Sequence, residues 1–290
     1  HSDILKPLSF YTPMFFHNMY MDCNSIIYDA VHTAEYSDSN FEMKLIRNVI
    51  NKIEDYITLI SPSNTIYIAF DGVAPFAKMN QQRTRRFKGD FMAKNLFINS
   101  EKRGLWSTAN ITPGTDFMNN LSRIITRHFE NKENTYGVKK IIISASDIRG
   151  EGEHKIFQYI REVNNINENM LLYGLDSDLI MLTIFNRQYY NKGYIFREAP
   201  AFMNVNSDIK PDDIEPYVVD VECMCNQLVI EMDCNVSEFR RVYDYVFICF
   251  LLGNDFLPHI ESLNIKEGGI EQIIQFYTDI FNKTKQNSLK

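Results

Sequence analysis

Seven carboxylates hold most of the reactive potential of this sequence. Glu151 and Glu153 flank a lone glycine in the run DIRGEGE at residues 147–153, and Asp176 and Asp178 form a second close pair downstream. Asp22, Asp71 and Asp255 each close an apolar run. Helix N-termini also favour Asp and Glu, because the macrodipole is positive there, so either pair by itself reads as a cap. Caps need not sit at the same end of every element, whereas a metal site must. Crowded carboxylates repel, and one takes up a proton unless a cation neutralises them. Hard oxygen donors in this number favour Mg²⁺ or Mn²⁺ over zinc and exceed what one octahedral ion uses. Two ions about 3.5–4 Å apart are the usual arrangement for in-line displacement at a phosphodiester. The expected chemistry is metal-dependent phosphodiester hydrolysis with no protein nucleophile.

A second constellation follows Asp71 directly, in DGVAPFAKMNQQRTRRF at residues 71–87. On a helix, Lys78, Gln82, Arg85 and Arg86 fall within an arc of roughly 100°. Arginine forks grip phosphate oxygens in pairs and lysine adds a point charge. Such faces are commonly just solvated. Linkage to Asp71 favours a phosphate pocket, which would fix the distance from a strand's end to the metals.

These groups need strands and helices to present them. Apolar runs at 19–22, 65–70, 140–146, 170–175 and 194–197 read as strands. The acidic residues then stand at strand carboxyl ends, the usual site position in an open α/β sheet. Helices are expected from residue 25 to 32 and from 41 to 59, where Leu45, Ile46, Val49, Ile50, Ile53, Tyr56 and Ile57 make one stripe. Pro75 opens another, and Thr115 caps one that runs to about Phe129. Residues 218–230, 238–252 and 270–281 read as helical, and 204–216 as a polar loop. Residues 1–18 read as irregular and 88–111 as a mobile connection. The expected fold class is α/β, a mostly parallel central sheet flanked by helices, with a helical C-terminal part and residues 19–290 as one domain.

Composition narrows the classes. No apolar stretch is long enough to span a bilayer, and no secretory leader pattern opens the sequence. Five cysteines without paired CxxC spacing argue against structural zinc and a disulfide framework and for a reducing compartment. The expected location is the cytoplasm, with the nucleus left open. The formal charge of −7 does not exclude nucleic acid, because the seven acids above carry −7 and the remainder sums to −7 + 7 = 0.

With those residues in place, the chain resembles the N-terminal conserved region of the XRN family of 5′→3′ exoribonucleases, part of the wider flap-endonuclease-like (PIN/FEN-like) nuclease group. The resemblance rests on YMDCNS (20–25), DGVAP through AKMNQQRTRRF (71–87), GEGEHK (150–155), YGLDSDLIML (173–182) and GNDFLPH (253–259). It implies that Asp22, Asp71, Glu151, Glu153, Asp176, Asp178 and Asp255 are the catalytic acids that hold two Mg²⁺ ions, Mn²⁺ substituting. It implies that Lys78, Gln82, Arg85 and Arg86 bind a 5′-monophosphate in a pocket closed to capped and triphosphorylated ends. The implied substrate is single-stranded RNA, degraded one nucleotide at a time. Three features depart from the family pattern. Only PMFF at 13–16 echoes the family's opening helix, and Tyr28 stands where the family has a base-stacking histidine, a role an aromatic ring can keep. The family's second conserved region is expected to be absent, its place open to a protein partner. Two other classes fit the acidic core: a 5′-nuclease acting on DNA, and a catalytically weak module that binds RNA ends. His154 reads as a helix residue beside the site.

Overall fold

The computed structural model describes residues 4–11, 15–33, 40–96, 106–174, 176–197, 216–232, 240–254 and 256–288. Asp255 and most of the polar stretch 204–216 lie outside them. A seven-stranded sheet runs in the order β1 (Leu5–Pro7), β7 (Tyr217–Asp220), β6 (Gly193–Arg197), β5 (Met170–Tyr173), β2 (Asn18–Asp22), β3 (Thr65–Ala69) and β4 (Lys140–Ser144). All pairings from β6 across to β4 are parallel; β7 adds to β6, and β1 to β7, antiparallel. The α/β class with a mostly parallel central sheet is present as expected.

Strands buried on both faces must be apolar throughout, and side chains alternate between the faces. Met19, Met21, Ile66, Ile68, Leu171 and Tyr173 point to one side, into the core shared with α1 (Asn24–Thr33), α2 (Phe41–Ile60) and α4 (Asp116–Phe129). Tyr20, Tyr67 and Leu172 point to the other, against Ile156, Phe157 and Ile160 of α6 (Gly152–Val163). A third cluster closes the β6–β7 end with α7 (Ser177–Phe185), α8 (Val221–Glu231) and α9 (Arg241–Leu251). Residue Thr278 of α10 (Gly269–Ser288) donates its hydroxyl to Met232 O at 2.9 Å, tying the last helix to the end of α8. Helix α2 shows how local signals place an element. Its predicted stripe is buried, and Ser61 ends it in the left-handed region at φ 49° with its N–H on Ile57 O.

The structure departs from the sequence expectations in three places. The N-terminal segment is not wholly irregular: Leu5–Pro7 pairs with residues 217–219, and a 3₁₀ turn spans Leu8–Tyr11. The helix expected from 218 starts at Val221, because Tyr217–Asp220 is drawn into the sheet against β6. Where periodicity fades after Lys88, α3 (Phe76–Leu96) continues to Leu96. Trp106 is anchored: its indole N–H donates to Glu42 Oε1 at 2.8 Å, and its rings meet Phe41 and Phe117.

From β2 the chain builds β3 and β4 to one side, then returns to place β5 and β6 on the other. The reversal between β2 and β5 opens a crevice beyond the carboxyl ends of the strands, where ligands bind in such sheets.

Candidate active site

Each acidic element ends at that crevice. Asp22 is the last residue of β2, Asp71 lies just past β3, Glu151 and Glu153 open α6, and Asp176 and Asp178 open α7. Glu151 and Asp176 occupy N-cap positions, yet neither side chain caps its helix. Thr115 and Asp220, by contrast, accept from Met118 N and Cys223 N and cap α4 and α8. The acidic pairs therefore do not serve as ordinary caps.

Close approach is built into the backbone. A Cβ on Gly152 would lie 2.5 Å from Asp22 Oδ1, so only glycine lets the start of α6 reach β2. The Gly152 N–H donates to Asp71 Oδ1 at 2.8 Å, and Asn24 Nδ2 donates to Asp71 Oδ2 at 2.6 Å. Asp71 N returns a bond to Asn24 Oδ1 at 3.0 Å, which fixes the carboxylate. Asp22 Oδ1 and Glu151 Oε2 are buried and accept no hydrogen bond from the described residues.

The electrostatics follow from crowding and burial. Asp22 is raised well above the usual carboxylate range, by burial first and then by Asp71, Glu153 and Asp176. Burial also lifts Glu153 to about 8; Lys78 pulls the other way, while Glu151, Asp178 and Asp176 push further up. Buried acceptors left without donors normally carry a substantial free-energy penalty. Hard oxygens held in that state suit a divalent cation of the Mg²⁺ type. Among the described residues, ligand atoms of Glu151, Glu153 and His154 lie within 4.8 Å of one another.

One cavity of about 490 Å³ joins the two predicted constellations. Asp71, Glu151, Glu153, Asp176 and Asp178 line one part of it, and Asp22 lies close by, felt through its charge. Lys78, Gln82, Arg85 and Arg86 line the other part, from the face of α3 that the sequence singled out. An ion pair joins the halves, with Lys78 Nζ 2.7 Å from Glu151 Oε1. Arg86 Nη2 donates to Gln82 Oε1 at 3.5 Å along the same face. Tyr28, partly exposed, lines the cavity from α1. Burial raises its hydroxyl pKa, with Arg86 acting against that and Asp71 with it.

Some participants were not singled out from the sequence. Asn24 orients Asp71, Phe256 lies beneath Lys78 with its ring centroid 5.6 Å from the amine, and Lys155 is buried behind the acids. His154 comes nearer than a bystander would, with Nε2 3.6 Å from Glu151 Oε2 and 3.7 Å from Glu153 Oε1. A histidine directly after the GEGE run, on the turn that carries both glutamates, is the signal that points to it.

Comparison with known proteins bears on the family. A family model described as the XRN 5′-3′ exonuclease N-terminus matches residues 5–199. A second, described as the Xrn1 helical domain, matches residues 236–288, within the stretch that the sequence reading joins to a single domain. The 5′-3′ exoribonuclease 2 of Gallus gallus is 29% identical over 343 aligned residues, covering 93% of this chain and 34% of that protein. The corresponding protein of Candida albicans is 30% identical over 303, covering 89% and 31%. The chain thus spans about a third of the length of these relatives. Among solved structures, the catalytic core of Rad2 in complex with DNA substrate aligns with a TM-score of 0.48 at 16% identity, over 98% of this chain and 72% of that one.

Proposed function

The chain belongs to the XRN 5′-3′ exonuclease family, and from that membership and the cavity's geometry we propose that it is a metal-dependent 5′→3′ exoribonuclease acting on single-stranded RNA with a 5′-monophosphate. One observation carries the reading: the cationic face of α3 and the acids at the strand ends line the same cavity, so an end gripped by one lies beside the other. The curated relatives share the exoribonuclease name.

In this reading Lys78, Gln82, Arg85 and Arg86 bind the terminal phosphate, the arginines through paired N–H donors. Tyr28 offers its ring to the first base, a contact that tolerates any base because each has a π face. The next phosphodiester then lies over Asp22, Asp71, Glu151, Glu153, Asp176 and Asp178, with Asp255 as the seventh acid. Mg²⁺ ions held there, or Mn²⁺ in their place, would supply Lewis acidity at the scissile phosphate and lower the pKa of the attacking water. The residues themselves hold the end and fix the reach from end to bond. Lys78 serves both tasks, since its amine already contacts Glu151.

Digestion of 3′-end-labelled RNA carrying a 5′-monophosphate, hydroxyl or triphosphate, with a matched 5′-phosphorylated DNA strand, tests the proposal. Mg²⁺-dependent shortening of the monophosphate RNA in preference to the others is expected. Equal rates on phosphate and hydroxyl ends would remove the pocket assignment, and faster DNA cleavage would remove RNA as the substrate.

A further inference from the structure

Behind the acids, where β3, β4 and α6 converge, lies the lysine that ends the GEGEHK block, to which the proposed chemistry gives no role. Lys155 is 6% exposed, and its ammonium donates to Phe70 O at 2.8 Å, to Ala145 O at 2.8 Å and to Ser144 O at 3.4 Å. Ammonium has three donors, and each has a main-chain carbonyl here. The β3–β4 ladder makes its last paired register at Ala69 and Ser144, after which the strands part. Phe70 N still donates to Ser144 O at 3.0 Å, but Phe70 O and Ala145 O lie past the ladder's end. Ala145 O also accepts from Ile148 N at 3.2 Å, so among the described residues Phe70 O is the carbonyl that depends on the ammonium for a donor. Lysine is seldom fully buried without a carboxylate partner, and no ion pair of Lys155 appears among the described residues.

The segments it joins lead to three of the acids, Asp71, Glu151 and Glu153. Phe70 directly precedes Asp71. Ala145 leads into the turn that delivers Glu151. Lys155 itself is on the first turns of α6 with Glu151 and Glu153, and Lys155 N donates to Glu151 O at 3.1 Å. Two further bonds, Gly72 N to Gly150 O at 2.8 Å and Gly150 N to Val73 O at 3.0 Å, cross the same seam. Lys155 crosses it with an ammonium, whose pKa burial lowers from 10.5 to about 8 while Asp71, Asp147 and Asp22 pull it back up.

We propose that Lys155 is a positioning residue of the cation site, a buried ammonium that pins the parting ends of β3 and β4 to α6. It thereby sets the spacing of Asp71 from Glu151 and Glu153. This rests on the metal-site reading above. It has a clear division of labour as its consequence. The terminal-phosphate face belongs to α3, whereas the three hydrogen bonds of the Lys155 ammonium go to Phe70, Ser144 and Ala145. Loss of the ammonium should weaken cation binding and turnover while leaving the grip on a 5′-phosphate as it was.

The test compares the unmutated protein with Lys155→Met, which keeps length but removes charge and donors. Mn²⁺ affinity is read by electron paramagnetic resonance, and affinity for a 5′-phosphorylated oligonucleotide is measured in EDTA. Mn²⁺ affinity is expected to fall roughly 10–100-fold, the range for groups that support metal ligands. Oligonucleotide affinity should stay within about twofold, and in Mg²⁺ kcat should fall with KM little changed. Lys155→Ala should recover Mn²⁺ affinity in propylamine and not in propanol, a rescue that a purely structural defect does not give. If Lys155→Met does not fold, Lys155→Gln retains donors without charge and takes its place, with the same loss of Mn²⁺ affinity expected. Mn²⁺ affinity within twofold of the unmutated protein in the folded variant, or no response to the amine, overturns the proposal. An unmutated protein that binds no Mn²⁺ overturns the metal-site reading instead.

Discussion

Replacing Glu153 by glutamine should stabilise the metal-free protein at alkaline pH while crippling its cation site. Glu153 is buried, and its carboxyl is raised from 4.5 to about 8, chiefly by burial. A carboxyl raised in the folded state holds a proton that the unfolded chain gives up. Its contribution to stability is complete below about pH 4.5 and is lost as pH rises through about 8. The interval is about 3.5 units, and at about 1.36 kcal/mol per unit the loss approaches 5 kcal/mol, or roughly 10 °C in melting temperature. Glutamine fills the same space without a charge, so Glu153→Gln should escape most of this loss. Asp22, raised in the same direction, contributes to the slope of both proteins and leaves much of their difference to Glu153. The assay is thermal melting in EDTA between about pH 5.5 and about pH 8.5, repeated with Mg²⁺. In EDTA the unmutated protein should lose stability with rising pH and the variant much less. Mg²⁺ should restore the unmutated protein at the alkaline end and act weakly on the variant. Parallel melting curves across the pH range, or a variant less stable than its parent at about pH 8.5 in EDTA, would refute the electrostatic reasoning.

Three further substitutions separate the parts of the site. Asp176→Ala should abolish cleavage, by about 10²-fold or more in kcat, with RNA affinity in EDTA within a few-fold, as measured by single-turnover digestion beside a binding titration. Arg85→Ala should raise KM for 5′-phosphorylated RNA by about 10-fold and narrow the preference for phosphate over hydroxyl ends, since one guanidinium grip on phosphate is lost. Gly152→Ala puts a methyl 2.5 Å from Asp22 Oδ1, so α6 must shift; a loss of about 1–3 kcal/mol in urea unfolding is expected together with weaker Mn²⁺ binding. A Gly152→Ala protein with unchanged stability and cation affinity would show that the approach of α6 to β2 is not tight.

Much of the fold was legible because its sheet is mostly parallel and its central strands are buried. Apolar runs such as Thr65–Ala69 and Met170–Tyr173 need no alternation, and acidic residues punctuate their ends. Helix α2 announced itself by a stripe that is buried throughout. What was illegible depends on partners distant in sequence. Nothing in residues 5–7 signals a strand until β7 offers an edge, and residues 217–220 become that edge only because β6 draws them in. After Lys88 the sequence shows only weak periodicity, so the pattern that reports helices was missing where the helix continued.

The site divides in the same way. Asp22, Asp71, Glu151, Glu153, Asp176, Asp178 and the face from Lys78 to Arg86 could be chosen because residue type and position relative to strand ends carried the information, and the cavity gathers them except Asp22, which lies close by, felt through its charge. The contacts that make it one site were not available to that reasoning. The Lys78–Glu151 pair at 2.7 Å spans two motifs separated by most of a βαβ unit, and Asn24 reaches Asp71 across the gap between β2 and β3. Lys155 is the sharpest case. By sequence it is a charged residue on an amphipathic helix, and its ordinary fate is a solvated face. Its carbonyl partners are set by the fold: Phe70 O lies where β3 leaves β4, just beyond the last ladder pair at Ala69 and Ser144. The lysine's place is therefore legible only once the register of β3 against β4 is known, because the sequence alone does not say where their pairing ends.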